Sequence, residues 1–304
     1  MRILFTGASS FSGMWFVKEL ADAGHTVTTI FQKELNDYSG IRKNRVEIAC
    51  AHSTPLWHCS FGDETFLKVL KENSWDLLCH HGADVTNYKS PSFDVEAAVA
   101  NNTNNLPQVF STLKGASVVL TGTVFEPGEG FPPEEAVSPY GLSKGLTSKL
   151  FEKAAKQHEV PFKKFVIANP FGPFEEGRFT THLANQWLSG KTASLDYPLY
   201  VRDNIPVSLL AKAYCHFIET PSLGKLCPKG YSGSQGVFIQ RFADELSNRL
   251  SIKCPLEIQE QTCFDEPKER TATDELNWQK LGWNEKKAWD DLAQYYLQTY
   301  GGNR

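Results

Sequence analysis

The first thirty residues restrict the fold more than any other stretch of the chain. Arg2–Thr6 is a short apolar strand, Gly7–Gly13 is a turn of small residues, and Met14–Ala23 sets Phe16, Val17 and Leu20 at helical spacing. Gly24-His25 ends that helix, and Thr26–Phe31 is a second β-rich run. A strand, turn, helix and strand in this order form a βαβ unit, which requires a parallel sheet.

The alternation continues. The pattern predicts a strand over Val46–Ala51, a helix over Glu64–Asn73 and an apolar strand over Trp75–His80 that runs into the turn His81-Gly82-Ala83-Asp84. Phe93–Leu113 carries helical material, Ser117–Thr121 is a buried strand and Lys164–Ala168 is the next. Ser138-Pro139 supplies a side-chain cap and a first-turn proline, so a helix is expected from Tyr140 to about His158. After Asn169-Pro170-Phe171-Gly172-Pro173 the alternation breaks. The expectation is an α/β fold: a Rossmann-type, doubly wound parallel sheet over residues 1–173, with 201–222 rejoining it through a strand end and a helix at Ile205–Glu219. Residues 174–200 and 223–304 are left for a smaller C-terminal substrate-binding lobe.

A chain of 304 residues is long enough for one large domain and such a lobe. Its net charge of −4 and lack of Lys/Arg runs argue against nucleic acid or an acidic membrane surface as partner. The seven cysteines are scattered and include no Cys-x-x-Cys, so no metal is expected, and reduced thiols suit a cytoplasmic protein. The apolar start is too short for a signal peptide, and no stretch is long enough to span a membrane.

Two regions carry chemistry. Tyr140 and Lys144 lie four apart on the predicted helix and so share a face, where an ammonium would favour the phenolate and depress its pKa. With the Thr121 hydroxyl they would form a proton-transfer device for a carbonyl/alcohol couple. At the other end, Gly7-Ala8-Ser9-Ser10-Phe11-Ser12-Gly13 joins a strand to a helix, where backbone N–H groups and the helix N-terminus meet a pyrophosphate. An acid at the end of the second strand would hold a ribose 2′-hydroxyl; Phe31-Gln32-Lys33 has none and carries a cation, which favours NADP over NAD.

These residues resemble the extended short-chain dehydrogenase/reductase family, specifically its nucleotide-sugar-modifying members. The family's Thr-Gly-x-x-Gly-x-x-Gly turn matches Thr6–Gly13 with Ser10 for the central glycine. Its active-site Ser/Thr matches Thr121, its Tyr-x-x-x-Lys matches Tyr140 and Lys144, and its helical Asn matches Asn102. The later segments match Asn169–Pro173 and Arg202–Val207, and Asp274–Trp283 resembles the family's late Leu-Gly-Trp stretch.

The resemblance implies a cofactor held by Gly7, Ser9, Ser10, Phe11, Ser12, Gly13, Phe31, Gln32, Lys33, Ser60, His81, Gly82, Ala83, Asn102, Pro170 and the Tyr140/Lys144 pair. It implies a nucleotide-sugar substrate held by Asn169, Arg202 and Thr123, with Arg178 and Arg270 as further candidates. Arginine suits a pyrophosphate because its planar fork donates two hydrogen bonds at once. Two departures concern binding: the acid expected after the third strand is replaced by Cys59 or Ser60, and an expected arginine is Val166. A third concerns chemistry. The 4,6-dehydratases carry Asp-Glu directly after the active-site Thr; here the pair is Gly122-Thr123, and Glu126 is out of register, which argues against elimination.

The expected activity is an NADP-dependent reduction of a keto nucleotide-sugar, with Tyr140 protonating the oxygen, Lys144 holding the nicotinamide ribose, Thr121 orienting the carbonyl and Asn102 supporting the site. The alternatives are a 4-epimerase that retains NAD, and a non-catalytic dinucleotide sensor. The resemblance further implies a homodimer formed through the Tyr140 helix and the Asn102 helix.

Overall fold

The computed structural model describes residues 1–113, 115–133 and 135–302, so the last two residues of the 223–304 stretch lie outside the described part. The chain opens with β1 (Arg2–Thr6), α1 (Phe11–Asp22) and β2 (Thr26–Ile30), and β1 and β2 pair in parallel from Arg2↔Thr26 to Thr6↔Ile30. There follow α2 (Gly40–Ala51), β3 (Thr54–Leu56), α3 (Glu64–Glu72), β4 (Leu77–His80), α4 (Val95–Asn102), α5 (Leu106–Thr112), β5 (Ser117–Thr123), α6 (Pro139–Gln157) and β6 (Phe162–Ile167). As the capping residues predict, the Ser138 hydroxyl accepts the Gly141 N–H and Pro139 fills the first turn of α6.

Residues 46–51 are not a strand. Val46 and Ala49 are buried on α2 at a spacing of three, and Arg45 is buried beside them, so the run has a helical period that a short apolar window hides. The true third strand, Thr54-Pro55-Leu56, has three residues and a proline, too little for an alternation to register.

The remainder comprises β7 (Asn169–Phe171), α7 (Phe179–Leu188), β8 (Ala193–Leu195), β9 (Val201–Pro206), α8 (Val207–Glu219), β10 (Gly224–Leu226), β11 (Tyr231–Ser234), α9 (Gln235–Leu250), β12 (Leu256–Ile258), β13 (Glu269–Arg270) and α10 (Glu285–Tyr300). Seven strands form one parallel sheet in the order β10-β6-β5-β4-β1-β2-β3. One face is covered by α1, α2 and α8, where Phe16 stacks on Tyr214 at 4.2 Å; the other is covered by α3, α5 and α6, with Phe66, Phe110 and Phe151 in its core. This is a doubly wound Rossmann-type sheet. Its order reverses between β1 and β4, and ligands of such sheets bind beyond the carboxyl ends of the strands at that point.

The 201–222 stretch divides. Helix α8 packs against α1 on the main sheet, whereas β9 belongs to a second sheet, paired with β7, β11 and β13. A separate apolar cluster around Trp187, Phe242 and Tyr296 joins α7, α9 and α10. Among the described residues no helix is long and apolar enough to cross a membrane.

Candidate active site

At the switch point the β1–α1 turn lies against the turn after β4. Gly7 has φ +81°, and a Cβ there would stand 2.6 Å from the Gly82 nitrogen, so the turns can meet only with a glycine at position 7. Thr6 completes the contact by accepting the Gly82 N–H at 2.8 Å. Ser10, in place of the family glycine, caps α1: its hydroxyl donates to Gly7 O at 2.8 Å and accepts the Gly13 N–H at 3.1 Å. The departure therefore rigidifies the turn from within. The other N–H groups of the first turn have no helical partner and, with the helix dipole, suit an anion.

His81 links this turn to β5. Its Nε2 lies 3.0 Å from Ser10 Oγ and 3.2 Å from Ser12 Oγ, and its Nδ1 lies 3.0 Å from Thr121 Oγ1. The ring packs between Phe5 and Phe16, and burial, aided by the Lys144 charge, pushes its pKa down to about 3, which keeps it neutral. The Thr121 hydroxyl, expected from the sequence to face a substrate, has the His81 ring as its neighbour. It lies on the same face of β5 as Val119, toward α1 and α8, because side chains two apart share a face. Thr123 lies at the end of the strand, where its hydroxyl accepts the Phe125 N–H at 3.4 Å.

Lys144 and Tyr140 approach β5 from α6. Lys144 is buried and its Nζ donates to Thr121 O at 2.7 Å; burial lowers its pKa, Glu126 opposes that shift and Lys164 adds to it. Tyr140 is half-buried, enclosed by Tyr88 and Phe93 at ring distances of 5.5 and 5.9 Å. Its phenol is not depressed, contrary to the spacing argument. Burial raises it, with Glu126 and Tyr88 adding and only Arg178 opposing, while the Lys144 ammonium is spent on the Thr121 carbonyl.

Several predicted ligands are engaged elsewhere. Asn102 accepts the Asp84 N–H at 2.8 Å and donates to Thr147 at 3.4 Å, so it ties the loop after β4 to α6. Phe31 is a core residue stacked on Trp57 at 4.9 Å, whereas Gln32 and Lys33 are exposed. Ser60 donates its backbone N–H to Asp63, whose carboxylate also caps α3 by accepting the Phe66 N–H. Ala83 is half-buried, and Pro170 is buried in β7 opposite Ile205.

Two arginines near the cofactor turn, Arg42 and Arg45, show up only in three dimensions, and Arg178, a candidate from the sequence, lies at the start of α7. Arg42 Nη2 donates to Ser9 Oγ at 3.1 Å. Arg45, one turn further along α2, lies over the Phe11 ring, donates to Phe174 O at 2.8 Å and leaves Nη2 buried without a partner. Arg178 precedes α7, 3.8 Å from the buried Glu175 carboxylate. An unpaired buried guanidinium nitrogen beside a helix N-terminus suits a phosphate, so the residues present fit a dinucleotide.

Arg202 and Arg270 are neighbours in register on β9 and β13. Both are buried, and both reach one carboxylate oxygen of Glu266 at 3.2 Å. Arg202 also donates to Pro267 O and Lys268 O, while Arg270 lies 4.0 Å over the Phe125 ring with Nε unpartnered. Burial, then the Arg202 charge, lowers the Arg270 pKa to about 10. Asn169 donates to Asp203 O at 3.2 Å on the same small sheet. One group with metal-ligand chemistry, His25, Cys215 and Glu219, lies apart from these residues; the His25 ring is partnered by Glu219 at 3.1 Å and the Met1 amine at 3.3 Å.

Residues 3–226 match the profile of the NAD dependent epimerase/dehydratase family. The chain belongs to that family. No curated protein matches it. Among solved structures it resembles UDP-glucose 4-epimerase of Thermotoga maritima, at 17% identity and TM-score 0.74 over 98% of this chain and 99% of that one. It resembles UDP-glucuronic acid 4-epimerase of Bacillus cereus, in complex with UDP-glucuronic acid and NAD, at 18% and 0.74 over 99% and 100%. A third is UDP-N-acetylglucosamine 4-epimerase of Methanobrevibacter ruminantium, at 18% and 0.69 over 98% of both chains. These likenesses establish the fold. Within the family frame, the glycine turn, the Tyr140/Lys144 pair and Arg202 have informative sequence context. Arg42 and Arg45 had only their helical spacing of three as a signal, which the strand expectation for 46–51 obscured.

Proposed function

We propose that the protein is a nucleotide-sugar 4-epimerase that keeps its nicotinamide cofactor bound, oxidising a sugar carbon and returning the hydride to its other face. The reading rests above all on the Tyr140/Lys144 pair beside β5 at the carboxyl edge of the sheet, opposite two buried guanidiniums suited to a diphosphate. The similar solved structures are named as 4-epimerases of UDP-sugars, which favours this reading over the reductase expected from sequence.

A bound nicotinamide supplies the hydride acceptor and donor. The protein's own part is to move the proton and hold the ligands. Tyr140 takes the hydroxyl proton of the sugar as a phenolate and gives it back as a phenol; its raised pKa favours the phenol that serves the return step and works against the phenolate that serves the first. Lys144, whose ammonium is 2.7 Å from Thr121 O, fixes the height of α6 against β5. Arg45 and the α1 N-terminus hold the cofactor phosphates, and Arg202 and Arg270 hold the substrate diphosphate. Residues 174–200 and 223–304 form the substrate-facing part. A homodimer through α6 fits its exposed Leu142, Leu146 and Leu150, and seven free thiols fit a reducing cytoplasm.

Incubation of the purified protein with each C4 pair of UDP-hexoses and catalytic NAD, followed by NMR of the products, tests this. Interconversion without net cofactor consumption is expected. Two observations favour a second reading, an NADP-dependent ketoreductase: Arg42 stands at Ser9, and the β2 end lacks a carboxylate. Stoichiometric NADPH oxidation with a 4-keto nucleotide-sugar, weakened in Arg42→Gln, would favour that reading instead.

A further inference from the structure

His25, Cys215 and Glu219 meet at the amino edge of the sheet, across the fold from the Tyr140/Lys144 pair at the carboxyl edge. His25 closes the turn between α1 and β2. Its backbone N–H donates to Leu20 O at 3.1 Å, which fixes the turn, and its side chain is only 10% exposed. Cys215 and Glu219 are four apart on α8 and so share one face of it. His25 and Glu219 are 194 residues apart, so no short motif could announce the group in the sequence.

The three side chains already have the spacing a small cation needs. His25 Nε2 lies 3.1 Å from Glu219 Oε1, and one ligand atom from each residue lies within 4.8 Å of the other two, the one such group among the described residues. Tetrahedral zinc, with bonds of about 2.0–2.3 Å, sets its ligand atoms about 3.3–3.8 Å apart, so small side-chain rotations suffice. Cys215 is buried, and its Sγ makes no hydrogen bond among the described residues. Glu219 is 44% exposed, which leaves a fourth position open to water. The flanking charges do not compete, because Lys212 and Glu19 pair with each other at 2.9 Å. Imidazole, thiolate and carboxylate together suit zinc, whereas magnesium and calcium take oxygen ligands. One thiolate and one carboxylate also balance the two charges of the ion.

We propose that His25, Cys215 and Glu219 form a zinc(II) site that ties the α1–β2 turn to the end of α8, with water as the fourth ligand. The ion replaces the Cys215 thiol proton, which leaves to solvent, and takes the lone pair of His25 Nε2, so the proton of the neutral ring sits on Nδ1. The Met1 amine, 3.3 Å from Nδ1 and exposed, turns to water. Glu219 exchanges its hydrogen bond with the ring for a bond to the metal. Nothing is oxidised or reduced. The inference does not depend on the nucleotide-sugar reading.

Metal titration of the tag-free, chelator-stripped protein tests it. Cobalt(II) should bind once per chain and give a thiolate-to-metal charge-transfer band in the near ultraviolet, which zinc should then displace. Cys215→Ser should abolish the band. His25→Gln and Glu219→Gln should each weaken zinc at least about tenfold, since loss of an outer-shell partner alone is worth about 10–100-fold. Zinc should raise the wild-type Tm with concentration and leave the Tm of Cys215→Ser unmoved. Cys263→Ser, which removes the exposed thiol, should behave as wild type. No cobalt band in wild type, a band that survives Cys215→Ser, or one that is lost in Cys263→Ser overturns the proposal. Wild-type zinc affinity in His25→Gln or in Glu219→Gln overturns it as well, whether or not Cys215→Ser folds.

Discussion

Lys164 Nζ donates to Glu126 Oε2 at 2.6 Å, and both side chains are buried beside the carboxyl end of β5. The same ammonium reaches Glu129 at 2.8 Å, and Glu126 spends its other oxygen on the Thr123 N–H. Burial works against the Lys164 charge, yet Glu126 and Glu129 together hold its pKa above the usual lysine value. Glu126→Gln should therefore destabilise the fold by about 2 kcal/mol, the scale of a lost hydrogen bond to a charged group, since Glu129 still pairs Lys164. It should also remove a negative charge that raises the Tyr140 phenol, moving the Tyr140 limb of the pH–kcat profile to lower pH. Denaturant melts and a pH series check the two effects separately.

Gly122 leaves no room for the acid that the 4,6-dehydratases carry after their active-site threonine. A Cβ at this position would stand 2.7 Å from Lys164 Cε and 2.8 Å from Glu126 Oε1, so the ion pair fills the space a side chain needs. Gly122→Asp, which introduces the first acid of the dehydratase pair, should cost about 1–3 kcal/mol through overpacking. No dehydrated sugar should form. Mass spectrometry of the products together with Tm decides this, and a 4-keto-6-deoxy product would refute it.

Glu175 has a different pH signature. It is buried against α7, accepts from Thr180 Oγ1 at 2.6 Å, and burial raises its pKa from 4.5 to about 7 against the opposing pull of Thr180 and Arg178. An acid raised in the folded state gives stability that is full below its unfolded pKa and lost as pH rises through its folded pKa. The Glu175 contribution to stability should thus fall between about pH 4.5 and pH 7, by an amount on the order of 3 kcal/mol. Glu175→Gln keeps the acceptor for Thr180 and removes the titration. Its Tm should match wild type near pH 4.5 and exceed it at pH 8; equal Tm differences at both values would contradict the assignment.

The stripe Leu142, Leu146 and Leu150 recurs every four residues on α6, and each side chain is about 40% exposed (41, 44 and 40%). This row, on a helix that already packs on β5 and α4, is the face the proposed homodimer would bury. Leu146→Glu should convert a homodimer to a monomer in sedimentation velocity runs. A dimer unaffected by this charge would place the interface elsewhere.

What the sequence disclosed follows physical range. The βαβ start and the capped α6 are local, written in apolar periods and in Ser138-Pro139, and the structure holds both. Val46–Ala51 was misread because a six-residue apolar run fits a strand or a buried helix equally well. The site was legible as a set of residue types but not as contacts. The spacing of Tyr140 and Lys144 cannot reveal that the Lys144 ammonium goes to the Thr121 carbonyl. Nor can any local pattern reveal that His81, forty residues away, takes the Thr121 hydroxyl. Arg42 and Arg45 face the cofactor turn only because β1, β2 and α2 bring them there.

Glu266 is the one carboxylate held between Arg202 and Arg270 among the described contacts, and its side chain is 46% exposed whereas the two guanidiniums are buried. Two buried cations sharing one solvent-facing anion leave an excess positive charge, and Arg270 Nε still lacks a partner. A diphosphate arriving from the cleft would compete with Glu266 for the same donors. Glu266→Gln should therefore tighten UDP binding about three- to fivefold, the scale of one partly exposed ion pair. Calorimetric titration at low and high salt checks this, because the gain should shrink as salt screens the freed charge. Weaker binding in the variant would mean that Glu266 aims the guanidiniums and is not displaced by the ligand. Arg270→Lys sharpens the comparison: it keeps the charge but loses the planar fork, so it should weaken UDP whichever role Glu266 plays.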